Sequence, residues 1–366
     1  MSKKTKEPLF RVVKRPYCPA GKTVAIHAAA LCLASVLLLI FMKGVTDLSF
    51  GELVKTIVTA STRTANRLKA FAQEVALLLL IAVGLAPAFK MRFWNIGAQG
   101  QVLMGGLMAA IWMYYLRGTV PAWLMIFLCL TTSLLIAGLW CFIPAFFQSK
   151  YGANETLFTL MMNYIAIQLV CCFTHVWKGP KSAFGVMDRF TGSKNGYLAS
   201  LFGLDNGWTI LVAVLVTVLM FFYLSKTTHG YEISVVGESV KTARYAGIND
   251  KQVILRTAFF SGAICGLVGF LYVTNISHTI SPDTGGSYGF TAIIVAWLAE
   301  FKPWIMALIS ALLIFVNKGA GDVRNLAGLD NSVCDVAVCI FLFCILGCGF
   351  FTRYRLVRNR KKSVKE

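Results

Sequence analysis

The chain has 366 residues, 57% hydrophobic and only 14% charged, with repeated apolar runs of about fifteen to twenty residues, the length needed to cross roughly 30 Å of hydrocarbon. That excludes a water-soluble globular protein, and no soluble domain of any size fits between the runs. The formal charge of +19 does not call for nucleic acid, because seven Lys/Arg precede the first run (Lys3 to Lys22) and seven follow the last (Arg353 to Lys365), as cytoplasmic anchors of a membrane protein do.

In chain order, a basic N-terminal segment, 1–22, leads into a first run from Thr23 to Met42. This run has no small-residue cleavage site before Lys43 and reads as a retained span. The GKT at 21–23 resembles the end of a phosphate-binding loop, but Pro16 stands where the required Gly would be, five residues before Gly21. If ATP drives this protein, another subunit supplies the ATPase. Spans are predicted at 23–42, 72–89, 100–116, 122–144, 157–177, 208–224, 258–276, 289–300, 303–317 and 332–351. The fold class is therefore all-α, a polytopic membrane domain of about ten transmembrane helices over 23–351, with a basic C-terminal segment at 352–366. Both termini are then cytoplasmic, and loop charges agree, with 23 Lys/Arg inside and 12 outside. The Lys43–Lys69 loop has amphipathic spacing (Leu53, Ile57, Val58) that fits a helix lying on the outer surface. A second outer loop, Lys178 to Asn206, is polar and Gly-rich. The eleven Cys fall mostly inside apolar runs, with no CxxC pair, and read as small core hydrophobes. His27, His175, His229 and His278 are scattered, which gives a metal site little support.

The stretch NIGAQGQ, 95–101, places amides and glycines between two apolar runs. Non-helical backbone is tolerated at membrane depth only inside protein or beside a water-filled cavity. DTGGSYGF, 283–290, repeats the pattern before a short apolar segment, and such interrupted segments in two halves point to an inverted repeat with broken or short helices around a central path. On this reading Trp94, Asn95, Gln99 and Gln101 line the path. The competing reading is close helix packing through glycines such as Gly105 and Gly106, with amides bonding between helices. In NETLFTLMMNYIA, 154–166, Asn163 lies about 13 Å beyond the span's start and is either an interhelical bond or a ligand contact, with Tyr164 beside it. The inside loop 225–257 holds VGESVKTARYAGI, a compact helix candidate over Gly237–Gly247 that Ser239 can cap and Gly247 ends. Its small residues and one aromatic suit a groove in another protein, against the alternative of a solvated loop.

RFWNIGAQGQVLMGG, NETLFTLMMNYIA, the VGESVKTARYAGI loop followed by FFSGAICGLVG, and GGSYGFTAIIVAWLAE resemble, in order and spacing, the permease subunits of ABC importers for nucleosides. These belong to a larger group serving simple sugars and branched-chain amino acids. The resemblance covers about residues 25 to 350. It implies a transporter subunit of the bacterial cytoplasmic (inner) membrane, not an enzyme, that pairs with a second permease in the lipid bilayer. A substrate-binding lipoprotein or periplasmic binding protein would deliver a nucleoside, and a cytoplasmic ABC ATPase, binding the ATP and Mg2+, would drive transport. This chain would carry no cofactor of its own. The loop helix, with Gly237, Glu238, Ala243, Tyr245 and Gly247, would be the coupling helix that docks on the ATPase. One departure is Gln99, where the family usually has Glu. A ribose-type sugar permease is the nearest alternative. An ion-coupled transporter fits less well, since the acids lie mostly in loops or at span ends, and no paired carboxylates or nucleophile with a base supports a membrane enzyme.

Overall fold

A computed structural model describes residues 10–14, 19–177, 196–201 and 206–358. The loop 178–206, predicted to lie outside, and the basic tails therefore fall largely outside the described residues. All ten predicted spans are helices: α1 (Ala20–Val45), α3 (Ala65–Lys90), α4 (Ala98–Tyr115), α5 (Ala122–Tyr151), α6 (Glu155–Val176), α7 (Gly207–Lys226), α10 (Asp250–Leu271), α11 (Tyr288–Leu298), α12 (Pro303–Ala327) and α13 (Ser332–Arg353). Four of them, α3, α5, α10 and α12, extend beyond their apolar runs by about two turns or more, because polar residues at a helix end satisfy backbone groups that hydrophobicity does not register. Eight of the ten are long and apolar enough to cross a membrane, and the two that are not, α4 and α11, follow NIGAQGQ and DTGGSYGF.

The chain divides into two compact units. The first comprises the two ends of the chain, 1–63 and 315–366. In it α1 packs along α13, and the flanking strands β1 (Phe10–Lys14) and β2 (Tyr354–Arg358) pair antiparallel with Phe10 opposite Arg358. This ribbon is the one departure from an all-helical chain among the described residues, and it ties the start of α1 and the end of α13 together. The predicted amphipathic helix is α2 (Phe50–Thr59), with Leu53 and Ile57 buried. A reciprocal cap starts it: the Glu52 backbone N–H donates to Ser49 Oγ while the Ser49 N–H and hydroxyl donate to the Glu52 carboxylate. Those bonds hold the Glu52 carboxyl below its ordinary range.

The second unit is 64–314. Its core is α4, α5 and α10 against one another, with α3 buried over most of its length. Here the backbones come very close: a Cβ on Gly105 would stand 2.5 Å from the Gly266 carbonyl oxygen, and one on Gly266 would stand 2.4 Å from that of Ser133. Small residues at such crossings replace hydrophobic drive with packing, the usual means of association in lipid. Ser133 adds an interhelical bond, its hydroxyl donating to the Gly105 carbonyl at 2.7 Å.

Candidate functional site

Helix α3 ends at Lys90, Arg92 takes a left-handed φ of 63°, and residues 93–97 run as irregular chain before α4 begins. The backbone groups of this turn need partners where it is buried, at Phe93, Asn95 and Gly97. The amides supply them. Asn95 Oδ1 accepts from the Gly97 N–H at 3.0 Å and from Gln101 Nε2 at 2.9 Å, while Asn95 Nδ2 donates back to Gln101 Oε1 at 3.2 Å. Asn163 reaches across from α6: its Nδ2 donates to the Ile96 carbonyl at 2.8 Å and its Oδ1 accepts from the Gly100 N–H at 2.7 Å. Thr159, one turn earlier, accepts from the Ile96 N–H at 3.2 Å. Gly100 leaves room for this, as a Cβ there would lie 2.8 Å from Asn163 Oδ1. Of the two roles open to Asn163, the structure occupies both ends of its amide with protein.

The second break begins where α10 widens into a π-helical turn, 272–277, and His278 follows with a φ of 51°. The chain then turns through Gly285 and Gly286, both with positive φ, into α11. This segment lies against the first break. Gln99 Nε2 donates to the Thr284 carbonyl at 3.0 Å, and Gln99 Oε1 accepts from the Gly289 N–H at 3.3 Å. A Cβ on Gly289 would stand 2.8 Å from the Gln99 backbone nitrogen, so the first turns of α4 and α11 touch. The amide suits the position because it both donates and accepts, whereas an ionised carboxylate only accepts. An ionised Glu at 99 would leave the Thr284 carbonyl facing a negative oxygen.

The structure thus brings Trp94, Asn95, Gln99, Gln101 and Asn163 together. The four amides are buried and Trp94 is 38% exposed. Tyr164 stands apart, 62% exposed on the other side of α6 beside Ile165 and Gln168. Two residues escaped sequence reasoning. Trp297 stacks on Trp94 with ring centroids 5.0 Å apart, in an aromatic cluster with Phe89 and Phe301. Glu74 lies within α3 and accepts from the Tyr288 hydroxyl at 3.0 Å. An acid inside a span is itself a legible signal; its partner more than two hundred positions away is not.

The loop 225–257 is helical over most of its length, and its helix boundary differs from the predicted one. Gly237 and Glu238 close α8 (Thr228–Glu238), and a separate short helix, α9 (Val240–Tyr245), starts at the Ser239 cap and ends at Gly247, φ 76°. The chain breaks at Ser239 because its hydroxyl caps α9 by accepting from the Thr242 N–H at 3.3 Å. Gly237 is wedged on α3: a Cβ there would come 2.1 Å from the Lys90 carbonyl oxygen. Ala243 is buried and Tyr245 is 93% exposed. Arg244 clamps the helix to the start of α10 with two bonds to Asp250, 2.9 and 3.0 Å.

Comparison with known proteins bears on what this arrangement does. A profile of the family described as branched-chain amino acid transport system / permease component matches residues 67–343. The guanosine ABC transporter permease protein NupP of Bacillus subtilis is 27% identical over 297 residues, 80% of this chain and 84% of that protein. The nucleoside ABC transporter permease protein NupB of Lactococcus lactis subsp. cremoris is 27% identical over 285 residues, 75% and 77% of the two chains. The glucose ABC transporter permease protein TsgB13 of Haloferax volcanii is 26% identical over 294 residues, 76% of each.

Proposed function

Because this chain belongs to the branched-chain amino acid transport system / permease component family, we propose that it is the membrane permease of an ATP-driven nucleoside importer. The observation that carries this reading is the Gln99 bridge, which joins two interrupted segments from distant parts of the chain at one point. Broken helices meeting within a bundle are where transporters place their substrates. The names of the guanosine and nucleoside permeases among the relatives favour a nucleoside. The glucose permease supports a second reading, a simple sugar. Both are neutral and rich in hydroxyls.

In this mechanism Asn95, Gln101 and Asn163 hold the turn from behind, and Trp94 and Trp297 offer half-exposed aromatic surface to a flat base. Tyr164, on the other side of α6, lies outside this cluster and is left out of the path. The walls that this chain leaves open are closed by a second permease. A lipid-anchored or periplasmic binding protein delivers the substrate, and a separate ATPase with its ATP and Mg2+ docks on the cytoplasmic side, where both termini lie. Helix α9 is the docking element, with Tyr245 and Val240 presented outward. Motion of α8 and α9 reaches the path by a short route, because Gly237 sits on the Lys90 carbonyl, four residues before Trp94. A wedge of backbone on backbone transmits displacement without slack.

The test is ATP-dependent uptake by the complete complex in proteoliposomes, with radiolabelled guanosine, uridine, ribose and glucose offered in parallel. Saturable uptake of a nucleoside that excess ribose does not displace is the expected result. Uptake of a sugar with no nucleoside transport overturns the substrate assignment in favour of the second reading.

A further inference from the structure

The two turns that carry the Trp94 and Trp297 rings share an uncommon backbone. At the end of α3 the Arg92 N–H donates to the Phe89 carbonyl and the Phe93 N–H to that of Ala88, both at 2.9 Å; at the end of α11 the Glu300 N–H donates to the Trp297 carbonyl and the Phe301 N–H to that of Ala296, both at 3.1 Å. This paired closure puts the residue after the cap in the left-handed region, where glycine is the usual occupant. The end of α9 follows that rule: Gly247 has φ 76°, and the Gly247 and Ile248 N–H groups make the same two bonds. Arg92 and Glu300 stand in the place of that glycine at φ 63° and 49°, and Phe301 follows at 61°. His278 is the one other non-glycine with positive φ among the described residues. A side chain in this region strains the backbone, and such strain collects at segments that switch.

We propose that Phe89, Trp94, Trp297 and Phe301 form a latch that closes the end of the path nearest the coupling element, an inference that rests on the transport reading above. The four rings make a closed circuit. Within each turn the contact is edge to face, Phe89 with Trp94 at 5.9 Å and Trp297 with Phe301 at 6.0 Å. Across the turns the rings stack, Trp94 on Trp297 at 5.0 Å and Phe89 on Phe301 at 6.5 Å. Each such pair adds modestly to burial, and Trp94 and Trp297 keep 38% and 46% of their surface exposed, so the circuit can part and re-form. Helix α11 has 11 residues, a length of about 16 Å. Gln99 fixes its first turn to α4, and the rings hold its last turn: one end is a pivot, the other a catch. The Lys90 carbonyl against which Gly237 of α8 is wedged lies two residues before Arg92. Displacement of α8 therefore arrives at the catch, and the strain in both left-handed turns eases its release.

The experiment uses the full complex in proteoliposomes, with Trp94→Cys and Trp297→Cys combined in an otherwise Cys-free chain. A short cleavable thiol cross-linker should join the pair rapidly without nucleotide and severalfold more slowly with ATP and vanadate, a readout that needs no substrate. The cross-linked complex should lose ATP-driven uridine uptake and regain it on cleavage. Equal cross-linking in the two nucleotide states overturns the latch, as does full uptake by the cross-linked complex. Arg92→Gly and Glu300→Gly keep the rings, remove opposite charges and relax the same φ. Each should melt no lower than wild type and lower uptake severalfold, a pairing that a merely structural turn would not give. Uptake at the wild-type level in both overturns the role of the strained turns. If the wild type carries a sugar and no nucleoside, the substrate reading above falls on its own, and the cross-linked complex is tested with that sugar against the same outcomes.

Discussion

Gln99 is the side chain on which both interrupted segments depend, so it is where a single change should say most. Gln99→Ala leaves the Thr284 carbonyl and the Gly289 N–H, both now bonded to its amide, without partners in a buried setting, a cost of about 1–3 kcal/mol for each group. The purified variant should melt several degrees lower in detergent and transport poorly. Gln99→Glu keeps the length but not the donor, and is expected to lose stability as well. Asn163→Ala orphans the Ile96 carbonyl and the Gly100 N–H in the same way. A thermal melt of the three variants that matches wild type would show that water replaces the amides at no cost, as it does when a path is wet there. Sequence alone left Asn163 between a packing bond and a ligand contact, because depth in a span can be counted along the chain while the direction of an amide cannot.

Helices α8 and α9 make their prediction as elements. The expected single helix over Gly237–Gly247 placed Ala243 on a docking face; the structure buries Ala243 and leaves Tyr245 outermost. Tyr245→Ala should therefore lower ATP-driven uptake severalfold with no change in melting temperature, whereas Ala243→Trp should fail through overpacking. Equal uptake by Tyr245→Ala and wild type would remove α9 from the coupling path. Glycines give a second contrast at this scale. Gly237→Ala forces a methyl into the Lys90 carbonyl and should separate α8 from α3, with loss of coupling. Gly51→Ala in α2 meets nothing within 4 Å and should stabilise that helix by about 0.5–1 kcal/mol. Comparing the two by melting temperature and uptake separates close approach from flexibility. In the sequence both are simply glycines within helices.

For the whole molecule, the proposed ten-span topology predicts that single Cys at Thr119 and at Lys241, in an otherwise Cys-free chain, label from opposite sides of the membrane; labelling from one side would overturn it. The sequence by itself determined the class, the ten helices and the two irregular stretches, because apolar run length and Gly or amide interruptions are local properties that water and lipid read directly. It also marked the cap at Ser239 and the amphipathic face of α2, since caps and periodicity act within one or two turns. Only the tertiary structure decided that NIGAQGQ and DTGGSYGF meet, that Trp297 stacks on Trp94 and Tyr288 bonds Glu74, and that Gly237 rests on Lys90. Each of these pairs residues 147 to 214 positions apart, through contacts of a few ångströms. Hydrophobic pattern fixes which face of a helix is buried, but it is equally satisfied by many neighbours. Which neighbour lies there is settled by backbone close approach and hydrogen-bond matching, and these exist only once the helices have packed.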